Sequence, residues 1–301
     1  MPQIDDFKAG YVAIVGEPNV GKSTLLNAFI GQKISAVTSK PQTTRHKILG
    51  ILSTDKYQIV FLDTPGLLKP KYLLHEVMMK AARSAIEDAD IILFIVDAER
   101  IKSQVKSDDD NVSFFSKSKA QKFLVINKID LISKNDILPI IAYYSDKYNF
   151  QEIFPISALN NIGVDELTKS IVNYLPIHPP YYPLDIVSEY NERYFVSEII
   201  REKIFEKFKE EIPYSTAVDV FDFKEQNDRK DVIRADIYVE RESQKGILIG
   251  KKGHALKEIG EISRKDIEKF LGRPVFLELH VKVREKWKDK PDWLKRLGYT
   301  S

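Results

Sequence analysis

Residues 16–23 read GEPNVGKS, the spacing G-x-x-x-x-G-K-[ST], between an apolar run, YVAIVG, and a helical pattern, KSTLLNAFI. Each fixed residue answers to a charged feature of a nucleoside triphosphate. Gly16 and Gly21 let the backbone of Glu17, Pro18, Asn19 and Val20 curl around phosphate oxygens at the positive end of a helix. Lys22 reaches the terminal phosphates, Ser23 offers a hydroxyl to Mg2+, and Thr24 is the next residue of the same binding loop.

Two further motifs end apolar runs. Asp63-Thr64-Pro65-Gly66 closes YQIVFLD, where a D-x-x-G carboxylate holds Mg2+ through water and the Gly66 N–H senses the terminal phosphate. Asn127-Lys128-Ile129-Asp130 closes KFLVIN. The Asp130 carboxylate accepts from N1–H and the 2-amino group of guanine; adenine has neither donor, so the carboxylate would be left unpaired. Ser157-Ala158-Leu159 ends IFPIS, where a backbone amide meets the guanine O6. Between the first two motifs lies PQTTRHKILG at 41–50, whose Thr44, with Thr43 as the alternative, is the expected threonine ligand of Mg2+.

GILIGKKG at 246–253 looks like a second phosphate loop and fails as one. Gly246 and Gly250 are one residue too close, and Lys252 stands where Ser or Thr must ligate Mg2+. As G-x-x-G, Gly250-Lys251-Lys252-Gly253 sits between two expected helices, where glycines admit a polynucleotide backbone and the lysines supply charge. Ile247 and Ile249 are expected to line a groove for about four splayed bases. From Gly246 to Ser301 there are 14 Lys and Arg against 8 Asp and Glu, a local +6 in a chain of net charge +2. The tail also carries Trp287 and Trp293, which suit either stacking on bases or pinning the tail to a core.

The elements that must hold these residues follow two rhythms. From Tyr11 to Pro176, short apolar runs alternate with helical patterns, which predicts an α/β domain with a mostly parallel sheet covered on both faces. HKILGILSTDKYQIVFLD reads as two strands around a short turn, so one antiparallel edge strand is expected. LPIHPPYYPLD at 175–185 carries four prolines and marks a boundary. The division expected is 1–178, a linker over 179–185, and 186–301, the last with the order α-β-β-α-α-β.

The four motifs in this order resemble the GTPase signature of the translation-factor-related class, and the second domain resembles a type II KH module. Together they resemble the Era family of bacterial ribosome-assembly GTPases, over essentially the whole chain. The resemblance implies Mg2+ and GTP binding, with Lys22, Thr44, Asp63 and Gly66 acting on the phosphates, and slow hydrolysis. It also implies binding of single-stranded RNA near the 3′ end of 16S ribosomal RNA during 30S maturation, and peripheral association with the inner membrane. A monomer with no DNA partner is expected. The alternative is a GTPase switch whose C-terminal domain binds a protein. Leu67 follows the D-x-x-G glycine where small signalling GTPases place a water-orienting glutamine. Class members with a hydrophobic residue there include some that hold a monovalent cation through a phosphate-loop asparagine. Asn19 stands at that position, implying K+; the other reading is that it only shapes the loop.

Composition bounds the rest. With 43% hydrophobic and 30% charged residues the chain can bury real cores. With no cysteine, disulfides and thiolate zinc sites are excluded, and a reducing interior fits. The N-terminus lacks the pattern of a secretory signal, so the cytoplasm is the expected compartment. The most apolar stretch, IILFIV at 91–96, is far short of the roughly 20 residues of a membrane span. The five histidines form no constellation with paired acids, which disfavours a metabolic phosphotransferase.

Overall fold

The computed structural model describes residues 6–103, 109–226 and 229–299. They fall into two units, one of residues up to 35, 44–70 and 78–189, the other of 36–43, 71–77 and 190 onward.

In chain order the first 178 residues give β1 (Lys8–Gly16), α1 (Lys22–Ile30), β2 (Ile48–Ser53), β3 (Tyr57–Asp63), α2 (Leu73–Asp88), β4 (Ile91–Asp97), α3 (Ala98–Ser103), α4 (Asp109–Ser113), β5 (Gln121–Asn127), α5 (Lys134–Lys147), β6 (Glu152–Pro155) and α6 (Val164–Tyr174). The strands form one sheet in the order β2-β3-β1-β4-β5-β6, parallel throughout except for β2, which runs antiparallel along β3 at the edge. β4 is buried at all seven positions, as a strand with both faces covered must be. Its apolar runs leave no polar face to turn to water, so helices close both sides. Parallel register then brings the C-terminal ends of four strands to one rim: Ile14 pairs with Asp63, Gly16 with Ile95, and Asp97 with Asn127. Loops at that rim are where an open α/β sheet binds ligands.

The second unit contains α7 (Glu192–Lys207), α8 (Ile212–Ser215), β7 (Ala217–Lys224), β8 (Asp231–Val239), α9 (Glu242–Ile249), α10 (His254–Leu271), β9 (Val275–Val283) and α11 (Pro291–Arg296). Its sheet has the order β7-β8-β9, with β7 antiparallel and β9 parallel to β8. One face, through Ile233, Ala235, Ile237 and Val239, packs on Val196, Ile200 and Ile204 of α7 and Ile259 and Ile267 of α10. The expected α-β-β-α-α-β order is present, with the short α8 and α11 added to it. Trp287 is fully buried and its Nε1–H donates to the Ser215 carbonyl at 2.9 Å, so this tryptophan pins the tail. Trp293 instead lies beside the guanidiniums of Arg284 and Arg296, at 5.1 and 5.0 Å from its ring. Within the same unit Lys40 donates to the carbonyls of Phe205 and Phe208, and Arg201 donates to the Thr43 carbonyl and to Glu198. Among the described residues no helix is long and apolar enough to cross a membrane.

Candidate functional site

The loop from Gly16 to Ser23 turns between β1 and α1 through two left-handed residues, Asn19 (φ 67°) and Gly21 (φ 100°). Gly21 caps α1, and a Cβ there would fall 2.2 Å from Asn127 Nδ2. Only glycine satisfies both demands. Inside the curl, buried Lys22 donates from Nζ to the carbonyls of Gly16 at 3.2 Å and Glu17 at 2.7 Å. Val20 is buried, Asn19 is exposed at the tip, and Thr24 is half-buried in the first turn of α1. Gly66 packs against Pro18, and the backbone N–H of buried Leu67 donates to the Gly16 carbonyl at 3.0 Å.

Four oxygens converge near Lys22. The Ser23 hydroxyl donates to Asp63 Oδ2 at 2.8 Å and lies 2.8 Å from Thr44 Oγ1; Ser35 donates to the same Oδ2 at 3.1 Å. Thr43 points elsewhere, with its hydroxyl 2.6 Å from Thr38 Oγ1 and 2.9 Å from the Lys40 carbonyl. Of the two threonines, the geometry brings Thr44 to the serine and aspartate. Asp63 Oδ1 is buried with no protein partner. A buried carboxylate oxygen left unpaired is costly, and a hard cation is one way to satisfy it. Hydroxyl and carboxylate oxygens are also the donors that Mg2+ takes, so the residues fit that ion. Among the described residues no group of three or more His, Cys, Asp or Glu could hold a metal.

Burial governs the charges here. It pushes the Lys22 ammonium down to about 8, against the attraction of Asp63 and Glu17. It pushes the Asp63 carboxyl up to about 6, against Lys22 and the hydrogen bonds from Ser23 and Ser35. Each charged form has lost more hydration than its neighbours return, which is the condition of a site arranged to meet further charge.

At the end of β5, Asn127 links three loops. Its Nδ2 donates to the Val20 carbonyl at 2.8 Å, and its Oδ1 accepts the Ala158 N–H at 2.9 Å. Lys128 (φ 65°) reaches Asp97 Oδ2 at 2.6 Å, while Asp130 stands exposed. Ser157 is buried and bridges to Ile162 through two 3.0 Å backbone bonds, which leaves Leu159 out at 78% exposure. The sequence-predicted base residues thus meet the phosphate loop along one rim. Asp97, Ser35 and Arg100 were not singled out by the sequence reading. For Asp97 a signal exists: it closes the apolar run IILFIVD just as Asp63 and Asn127 close theirs. Ser35 and Arg100 carry no such mark.

In the second unit the GKKG turn joins α9 to α10. Gly250 (φ 73°, ψ 176°) ends α9, and a Cβ there would meet the Ala255 Cβ at 2.7 Å. The turn closes through Gly250 N–H to the Gly246 carbonyl at 2.9 Å and Gly253 N–H to the Gly250 carbonyl at 3.1 Å. Lys251 and Lys252 are exposed. Leu248 is buried and anchors α9, Ile249 packs partly on the same core, and Ile247 is half exposed.

Residues 11–128 match the 50S ribosome-binding GTPase family, and residues 211–288 match the KH domain. The chain is 48% identical to GTPase Era of Geobacter metallireducens over 98% of each chain. It is 46% identical to the chloroplastic GTPase ERA1 of Zea mays, over 97% of this chain and 70% of that one. A crystal structure of an Aquifex aeolicus Era variant bound to GDP·AlF4− superposes with a TM-score of 0.93 at 41% identity, covering 98% of this chain and all of that one. A crystal structure of Era with MgGDPNP and nucleotides 1506–1542 of 16S ribosomal RNA gives the same TM-score at 42% identity and the same coverage.

Proposed function

The chain belongs to the Era family of GTPases, and from that premise we propose that it is a Mg2+-dependent GTP switch that binds single-stranded RNA at the 3′ end of small-subunit ribosomal RNA and assists 30S maturation. The observation that carries the nucleotide half is the convergence of Ser23, Thr44 and Asp63 within 2.8 Å contacts beside Lys22. In this reading Ser23 and Thr44, with Asp63 through water, would hold Mg2+. Such an ion would supply charge neutralisation to the phosphates. Glu17 to Thr24 cradle the phosphates, Lys22 exchanges its two loop carbonyls for terminal phosphate oxygens, and Gly66 offers its N–H to the γ-phosphate. Asn127, Lys128, Asp130 and the loop of Ser157, Ala158 and Leu159 receive the guanine.

Leu67 is buried and carries no hydrogen-bonding side chain, so water attack on the γ-phosphate proceeds without a glutamine at that position, and turnover is slow. In this scheme Asn19, exposed at the loop tip, would help hold K+, whose charge would offset the developing negative charge. Turnover in KCl is expected to exceed that in NaCl at equal ionic strength; equal rates remove K+ from the scheme.

RNA binding is supported by the GKKG turn: glycine geometry for close backbone approach, and two exposed lysines. Gly246, Ile247, Ile249, Gly250, Lys251, Lys252 and Gly253 form the binding segment. Replacing both Lys251 and Lys252 by Ala should weaken binding of a single-stranded RNA and lower the slope of log K against log salt by about 1.4, since each lost phosphate contact on a single strand removes about 0.7. An unchanged slope points to a protein partner for this unit. The setting proposed is the cytoplasm, with peripheral attachment to the inner membrane as the family implies.

A further inference from the structure

We propose that Asp97 is a positioning residue that ties the guanine loop to the phosphate loop and thereby sets nucleotide affinity; the inference rests on the reading of this rim as the GTP site. Asp97 closes β4, is 4% exposed, and sits in register with Asn127 of β5. Its two oxygens serve different loops. Oδ2 accepts from Lys128 Nζ at 2.6 Å. Oδ1 accepts the N–H groups of Glu99 at 3.0 Å and Arg100 at 3.3 Å, which fixes the first turn of α3.

From that turn Arg100 reaches the phosphate loop. It pairs with Glu17 Oε2 at 2.9 Å and donates to the Pro18 carbonyl at 3.4 Å. Glu17 in turn receives Lys22 on its carbonyl at 2.7 Å. One buried carboxylate therefore has a base-loop lysine on one side and, three contacts away through Arg100 and Glu17, the lysine of the phosphate loop on the other. The strand end holds it still, because β4 is buried along its whole length.

Lys128 needs such an anchor. Its backbone is in the left-handed region, uncommon for a residue with a side chain, and its ammonium would otherwise sample many rotamers. Holding Nζ on Asp97 fixes the methylene stem beside Asn127 and Asp130 before any ligand arrives. A side chain already ordered does not have to be immobilised on binding, and that difference is worth up to about tenfold in affinity. The contribution is to ground-state binding, so it moves KM and leaves the chemical step alone.

The test uses the full chain, a fluorescent GDP analogue and GTP turnover. Asp97→Asn keeps a carbonyl for Glu99 and Arg100 and removes the charge facing Lys128. It is expected to raise the Kd for GDP and the KM for GTP about tenfold, with kcat at saturation within about twofold of the unaltered chain. In a Lys128→Gln background the same substitution should add almost nothing, because the two act as one unit. An unchanged Kd, a fall in kcat matching the rise in KM, or a full effect in the Lys128→Gln background overturns the proposal. Should Asp97→Asn not fold, Lys128→Gln and Arg100→Ala, both at partly exposed side chains, form a second cycle. Coupled effects support the hub; strictly additive ones overturn it. If the unaltered chain binds GDP no better than ADP, it is the guanine site that fails, and that outcome is read separately.

Discussion

At the level of single residues, Asp130 carries the choice of base under the proposed reading. It stands exposed at the end of the base loop, and its carboxylate can accept the two donors that guanine presents and adenine lacks. Asp130→Asn places a donor against a donor. The loss of a charge-assisted pair costs about 2–3 kcal/mol, roughly a hundredfold in GTP affinity. Xanthine, with an acceptor at C2, should become the preferred base, as competition between GTP and XTP in a turnover assay measures; retained guanine preference would mean the base site lies elsewhere. Residues of this kind were legible because their chemistry is tied to spacing and to strand ends: Lys22, Ser23, Asp63, Asn127 and Asp130 needed no tertiary information. Thr44 was separable from Thr43 only in three dimensions, where one hydroxyl turns to Ser23 and the other to Thr38. Asp97 had the same strand-end placement as Asp63 but no motif around it, so its link to Lys128 emerges only from the register of β4 on β5.

Strands and helices were read from periodicity, and the long ones follow it. β4 and β5 are the apolar runs expected of a buried parallel sheet, and α10 spans the expected His254–Leu271. The short α8 and α11 left no readable period, being four and six residues long. The burial of Trp287 is equally silent in sequence, since its partner is a carbonyl 72 residues away. At this scale the turn between α9 and α10 makes a sharp prediction. Gly250→Ala puts a Cβ 2.7 Å from that of Ala255 and forces a non-glycine residue to φ 73°. The cost is about 1–3 kcal/mol. Thermal unfolding of the full chain should show the second unit melting earlier, with RNA affinity reduced alongside. A second unit as stable as before would mean the turn relaxes without harm and that the glycine is kept for contact with RNA alone.

The whole molecule holds phosphate in two ways under the proposed reading, once as a bound triphosphate and once as a polynucleotide backbone. The four-proline segment at 175–185 suggested where the chain changes rhythm. No local pattern suggested that residues 36–43, just before Thr44, belong with the second unit, because their ties are backbone carbonyls met by the long side chains of Lys40 and Arg201. Such contacts depend on reach and burial, which periodicity does not encode. They put the residues next to a proposed Mg2+ ligand in the unit that carries GKKG, so the nucleotide bound should alter RNA affinity. The measurement that tests this most directly is a titration of a single-stranded RNA from the 3′ end of 16S ribosomal RNA against the full chain loaded with Mg2+ and either a non-hydrolysable GTP analogue or GDP. Salt-dependent binding that is tighter with the GTP analogue is expected. Equal affinity in the two nucleotide states, or no binding in either, would contradict it.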